Sequence, residues 1–265
     1  MQASFHRHWR APNDPLDWAQ RFANNEVHMT EELFREDSYL KSCEARVVSV
    51  DDAGVELDKT VFYALGGGQL GDTGVLRTEN GAEVPVTDTR KDRETARYCH
   101  VVEGTSALTV GDKVTAEIDW DRRYKLMRMH TACHLLCAAI DGGVTGGSVG
   151  PDKSRLDFDL EDTALDKEAI NAKLNQLVDE DHALEIIWIT DEEMAAKPDI
   201  VRTMSVKPPS GSGRVRLMKI GEHVDLQPCG GTHVKRTGEI GQLEVGKIEN
   251  KGKHNRRVNI RLANG

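Results

Sequence analysis

The 265-residue sequence has no run of 18 or more apolar residues, which excludes a helix crossing a bilayer. A secretory signal would need an apolar stretch near the N-terminus, where Arg7, Arg10, Pro12 and Asp14 stand instead. A cytoplasmic protein with no membrane association is expected. Cysteine is sparse: Cys43, Cys99, Cys133, Cys137 and Cys229 are an odd number spread through a large chain. That pattern suits reduced thiols or metal ligation better than a disulfide framework. Positive charge is also short, with 35 Lys and Arg against 44 Asp and Glu for a formal charge of -9. Coating nucleic acid by bulk electrostatics is therefore excluded, because general phosphate affinity comes from cations displacing counterions. There is no internal repeat and no low-complexity tract.

What is present is a chain long enough for one large or two ordinary domains. Residues 1–28 carry Trp9, Pro12, Pro15 and Trp18 without a sustained period, and are expected to form an extension. From residue 29 to 120, β-rich runs recur between turn signals: Ala45–Val50, Gly54–Asp58, Thr60–Tyr63, Gly74–Arg77, Glu83–Thr87, Ala96–Val102 and Lys113–Ile118. Many short strands at that spacing predict a small β-barrel. The pattern changes at Asp121, opening a second domain over 121–265. Asp119 or Asp121 can cap a helix carrying Leu126, Met129, Cys133 and Cys137 at helical spacing, with Gly142-Gly143 as its stop. A second helix is expected from Asp166 to about His182, then a strand Leu184–Ile189. Thr190 and Glu193 form a capping-box pair for a short helix stopped before Pro198. A loop over Pro208–Gly213 and strands Val215–Ile220, Ile240–Ile248 and Arg257–Leu262 complete an α+β fold.

His130 and His134, four residues apart, project from one face of the first helix as a two-ligand arm. Cys229-Gly230-Gly231-Thr232-His233 offers a second arm, in which paired glycines allow a tight loop to turn both side chains toward one point. Three imidazoles and one thiolate favour a single Zn2+ per chain. Four protein ligands fill a tetrahedral shell, the pattern of a structural site, whereas a catalytic zinc keeps a position for water. The residues alone leave both readings open. Thr131 stands where an H-E-x-x-H metalloprotease has its glutamate, so peptide hydrolysis by that route is not supported. Cys133 and Cys137 fit the apolar helix face and are expected in the core. The glycine triplet Gly66-Gly67-Gly68 is either a plain turn or a loop bringing backbone amides to a phosphate or oxyanion, with Gln69 as an added polar contact. Lys247, Lys251, Lys253, Arg256, Arg257 and Arg261 face a single acid, Glu249, within fifteen residues. That cluster is either a solvated strand and turn or a local phosphate-contacting patch, to which Arg122, Arg123 and Arg128 would add.

Taken in order, His130-x3-His134, Cys229-x3-His233 and Thr237-Gly238-Glu239-Ile240-Gly241 resemble the editing domain of alanyl-tRNA synthetase, and more closely the free-standing alanyl-tRNA editing proteins of the AlaX family. The run from Phe62 to Gly74 is similar to the glycine-rich motif of the longer members. Thr145-Gly146-Gly147-Ser148, Arg155–Phe158 and the Asn250–Arg257 segment extend the resemblance over residues 29–265. Ala64 and Leu70 stand where many longer members have prolines, a departure toward the synthetase version. The resemblance implies a barrel joined to the α+β editing domain shared with threonyl-tRNA synthetase, without a ligase domain. It implies a trans-acting deacylase of Ser-tRNA(Ala), with Gly-tRNA(Ala) as a second candidate substrate, sparing Ala-tRNA(Ala). It also places Thr145 as partner of the serine hydroxyl. The competing readings are a non-catalytic zinc-containing tRNA-binding protein and a metallohydrolase of some small ester. The oligomeric state is not legible.

Overall fold

The computed structural model describes residues 29–92, 94–103, 108–160, 164–197, 200–202 and 213–263. The expected extension at 1–28 and nearly all of the expected loop at 208–213 lie outside the described residues. The first part contains strands β1 (Glu31–Glu32), β2 (Ser42–Asp51), β3 (Gly54–Leu57), β4 (Lys59–Thr60), β5 (Gly74–Thr78), β6 (Glu83–Lys91), β7 (Tyr98–Val102) and β8 (Lys113–Ile118). Six of them close a barrel in the order β2-β3-β7-β6-β5-β8. The period-two alternation sets its inside: Val84 and Val86 of β6 and Val114, Ala116 and Ile118 of β8 are buried with Val47, Leu57, Phe62 and Leu76. Each large side chain so buried contributes roughly 1.5–3 kcal/mol.

The expected strand Thr60–Tyr63 is the first departure, because only Lys59 and Thr60 are extended, paired in parallel with β1. Two of the next three amides are taken by side chains. Phe62 N–H donates to Thr60 Oγ1 at 3.0 Å and Tyr63 N–H to Asp72 Oδ2 at 2.6 Å. Thr60 also orients His100, a fully buried residue of the barrel. His100 Nδ1–H donates to the Val55 carbonyl at 2.9 Å, and Nε2 accepts from Thr60 Oγ1 at 2.8 Å. Burial pushes its imidazole down to about 4, against an opposing backbone bond to Val55.

An unfolded histidine titrates near 6.5, so between the two values the unfolded chain binds more protons. His100 therefore contributes stability that is present above pH 6.5 and lost as pH falls toward 4, by up to about 3 kcal/mol. Its ring resonances are expected to remain those of a neutral imidazole in NMR titrations until about pH 4. A midpoint near 6.5 would contradict this.

Helix α1 (Trp120–Ala139) begins where Asp119 accepts from the Arg122 N–H, which selects the first of the two expected caps. It stops at Ala139, before Gly142, because the chain turns extended at Ile140 and continues as β9 (Gly143–Val149) and β10 (Lys153–Asp159). Thr145-Gly146-Gly147-Ser148 thus lies within a strand. Its glycines suit close packing, since a Cβ on Gly147 would lie 2.8 Å from Leu156 Cδ2. Helix α2 (Lys167–Asp179) is capped by Asp166 and buries Ile170, Leu174, Leu177 and Val178. Then follow β11 (Leu184–Thr190), the capping-box helix α3 (Asp191–Ala195), β12 (Arg214–Ile220) and β13 (Asp225–Pro228). A 3-10 turn at Thr237–Ile240 replaces the start of the expected Ile240–Ile248 strand, and β14 (Leu243–Asn250) and β15 (Asn255–Leu262) end the fold.

A four-stranded sheet β14-β15-β10-β9 and a three-stranded sheet β11-β12-β13 surround α1, which is buried along most of its length. Cys133 and Cys137 lie in that core, as expected. The helix is tied to the barrel by a buried ion pair between Arg123 and Asp72, 0% and 1% exposed. Arg123 also donates to the Ser38 and Val61 carbonyls.

Candidate metal centre

His130 and His134 leave α1 one turn apart, and the loop after β13 brings Cys229 and His233 over them. The four ligand atoms lie within 4.8 Å of one another. Cys229 Sγ is 3.6 Å from His130 Nε2 and 3.2 Å from His233 Nε2. Tetrahedral zinc with ordinary Zn–N and Zn–S bonds requires an N···S edge of about 3.6 Å.

Every imidazole presents Nε2 because its Nδ1–H is held from behind. His130 Nδ1–H donates to Gln69 Oε1 at 2.7 Å, His134 Nδ1–H to Asp225 Oδ2 at 2.7 Å, and His233 Nδ1–H to Thr131 Oγ1 at 3.2 Å. Thr131 can accept because its own hydroxyl donates to the Met127 carbonyl. Fixing the tautomer in this way is how proteins orient metal-binding histidines. Two of the protonation states suit a metal ligand. Burial opposes ionisation of Cys229, yet facing His130 and His233 hold its thiol well below the usual range. Burial pushes His233 down to about 3 and keeps it neutral. His134 goes the other way: burial would lower it, but bonds to Asp225 and Cys229 raise it to about 10. The donor set and its spacing fit one zinc ion.

The glycines have definite roles here. Gly67 and Gly68 take φ of 54° and 85° between reciprocal Gly66–Gln69 backbone bonds, the geometry of a two-residue hairpin turn. This turn returns Gln69 to the interior, where its side chain is fully buried and its Nε2–H donates to Thr232 Oγ1 at 2.9 Å. The loop also pairs with β9, where Val149 N–H donates to Gly68 O and Leu70 N–H to Val149 O. On the facing side, a Cβ on Gly231 would fall 2.2 Å from His130 Cε1, so only glycine admits the ring.

Residues 14–122 match the profile of tRNA synthetases class II (A), and residues 215–259 that of the threonyl and alanyl tRNA synthetase second additional domain. The chain is 39% identical over 236 residues to the alanyl-tRNA editing protein AlaX-M of Saccharolobus solfataricus, covering 87% of this chain and 98% of that protein. The corresponding protein of Methanosarcina acetivorans is 41% identical over 244 residues, with 88% and 99% covered. This chain belongs to the alanyl-tRNA editing protein AlaX-M family. Its barrel and mixed sheets are those of the threonyl/alanyl-tRNA synthetase editing fold. The alanine–tRNA ligase of Sulfurisphaera tokodaii is 33% identical over 91% of this chain, which matches only 26% of the ligase.

The other expected site residues have partners outside the cluster. Thr145 Oγ1 donates to the Asp157 carbonyl at 3.1 Å and accepts from Asn255 Nδ2 at 3.3 Å. Arg257 grips Asp157 with two bonds, Lys251 is 3.4 Å from Glu249, and Arg256 donates to Asn250 Oδ1. Arg123 is corrected outright, because a buried guanidinium paired with Asp72 cannot meet a phosphate. Arg122 and Arg128 donate to the Gly71 and Ile240 carbonyls. Glu239 accepts from Tyr39 and Tyr124, a structural use of a carboxylate that by type could carry protons.

Thr131, Asp225 and Gln227, whose Nε2–H donates to Asp225 Oδ2 at 2.9 Å, were missed as supports. The signal for the last two was present, since 225, 227 and 229 alternate along an extended segment and so share a face.

Gln69→Ala removes the acceptor of His130 and leaves buried donors unpaired, so zinc affinity or turnover should fall about 10–100-fold. Competition with a chelator of known affinity measures the first, and unchanged values of both would sink the role.

Proposed function

We propose that this chain is a zinc-dependent, trans-acting aminoacyl-tRNA deacylase that hydrolyses Ser-tRNA(Ala), takes Gly-tRNA(Ala) as a second substrate and spares Ala-tRNA(Ala). The observation that carries it is the coincidence of near full-length kinship to proteins named alanyl-tRNA editing protein with a buried cluster whose three histidines are each oriented for a metal. Bound zinc supplies a Lewis-acidic charge beside the ester. The protein's own groups do the rest. Gln69, Asp225 and Thr131 hold the imidazoles in register, and the Gly66–Gly68 turn that carries Gln69 offers backbone to the substrate.

Selectivity falls to Thr145, whose hydroxyl donates inward and keeps a lone pair for a serine O–H. The other lone pair already accepts from Asn255 Nδ2, and alanine would leave this second one without a partner, which favours the serine ester. Lys251, Arg256 and Arg257 contribute phosphate contacts to the acceptor stem, Arg257 while also held by Asp157. Residues 29–120 and 121–265 act as barrel and editing domains, 1–28 as an extension, and the work is cytoplasmic.

The four-ligand shell favours one other reading, a zinc-containing tRNA-binding protein without turnover. Hydrolysis of Ser-tRNA(Ala), Gly-tRNA(Ala), Ala-tRNA(Ala) and Ser-tRNA(Ser) in parallel separates them. Selective loss of the first two supports the deacylase. Binding of tRNA with no hydrolysis supports the alternative.

A further inference from the structure

Arg216 of β12 stands directly behind the metal-binding loop. It is 5% exposed, and its Nη1–H donates to the carbonyls of Cys229 at 2.7 Å and Gly231 at 3.1 Å. Its Nε and Nη2 are buried with no hydrogen-bond partner among the described residues. That is unusual for a guanidinium, whose five donors are nearly always satisfied when removed from water. The contrast within this protein is Arg123, equally buried but paired with Asp72 and two carbonyls.

Arg216 is part of the wall of a cavity of about 350 Å³ that also includes Ser38, Tyr39, the ligand His233 and Lys235. Two acids line the same cavity, and both are directed elsewhere. Glu36 lies 3.9 Å from Arg214, and Asp37 Oδ1 accepts from the Tyr39 N–H. The cavity wall thus includes a buried cation with two idle donors in fork geometry, which matches the two oxygens of an oxyanion. It shares a wall with the metal cluster, and this inference rests on the deacylase reading of that cluster. In an aminoacyl-tRNA the amino acid's carboxyl is esterified and bears no charge. The anion nearest the ester is the phosphodiester one ribose away, on the 5′ side of the terminal nucleoside.

We infer that Arg216 is a substrate-positioning residue whose idle N–H groups bind the last phosphodiester of the tRNA 3′ end in this cavity. That contact fixes the ribose, and with it the ester, relative to the cluster, so part of the orientation needed for reaction comes from a remote charge.

The test uses a non-hydrolysable 3′-seryl-amide of the trinucleotide CCA, made with either a natural phosphodiester or an uncharged methylphosphonate at its last linkage. Its binding to the zinc-loaded protein is read by calorimetry. Wild type should bind the charged form about 10–100-fold tighter, the range for a hydrogen bond to a charged group. Arg216→Gln should bind both forms alike, and Arg216→Lys should recover part of the preference while both variants keep one zinc per chain. Equal wild-type affinity for the two forms overturns the inference, even if Arg216→Gln fails to fold. So does a preference retained by Arg216→Gln, or equal weakening of both forms. Failure of the deacylase reading would be seen separately, as no hydrolysis of Ser-tRNA(Ala) by a protein that still prefers the charged linkage.

Discussion

Cys229→Ala is expected to lose stoichiometric zinc at neutral pH and, with it, deacylation. Structural zinc sites of four ligands are worth roughly 10–16 kcal/mol. Losing one of four ligands costs on the order of 3 kcal/mol, about 100-fold in affinity, before any reorganisation is counted. The sulfur also supplies the negative charge toward which the imidazoles converge, lying 3.2 Å from His233 Nε2 and 3.6 Å from His130 Nε2. Its removal leaves three buried imidazoles facing one another. No barrel strand supplies a ligand, so the barrel should keep its circular dichroism. Zinc per chain after dialysis against a weak chelator is the decisive readout, and retention of one equivalent would contradict the assignment of Cys229.

Asp72→Asn is expected to cost about 3–5 kcal/mol of stability, the usual penalty when one partner of a buried ion pair is removed. Arg123 cannot reach solvent, and its Nε donates to both Asp72 oxygens, at 3.1 and 2.9 Å. Asp72 also accepts the Tyr63 N–H that opens the glycine-rich run. The variant should therefore shift the urea midpoint strongly and loosen the turn that carries Gln69, so zinc affinity falls as well. A midpoint within the scatter of an ordinary surface substitution would mean that this pair does not join the helix to the barrel as described.

Both arms of the metal cluster were legible because their spacing is local. Four residues on a helix share a face, and a Cys-Gly-Gly-Thr-His loop can turn two ligands together. The barrel was legible in its alternation, which the buried Val84, Val86, Val114 and Ala116 follow. What the sequence did not display is which acceptor stands behind which histidine. Gln69 and Asp225 reach His130 and His134 across 61 and 91 residues of chain, and no local period encodes such a pairing. The Gly143–Val149 strand was hidden for a related reason. Four glycine, threonine and serine residues in a row have turn chemistry, and only the facing strand Lys153–Asp159 makes them extended. The basic run near the C-terminus looked freer than it is, because Asp157, which binds Arg257, lies 100 residues away.

The central claim is that this cluster is a metal centre serving deacylation. Its most direct measurement is the rate of Ser-tRNA(Ala) hydrolysis by one protein preparation as purified, after stripping with a chelator, and after return of one equivalent of zinc. The account predicts loss of the rate on stripping, with circular dichroism still that of a folded barrel, and its recovery at one zinc per chain. A stripped, metal-free protein that hydrolyses Ser-tRNA(Ala) at the original rate would contradict it.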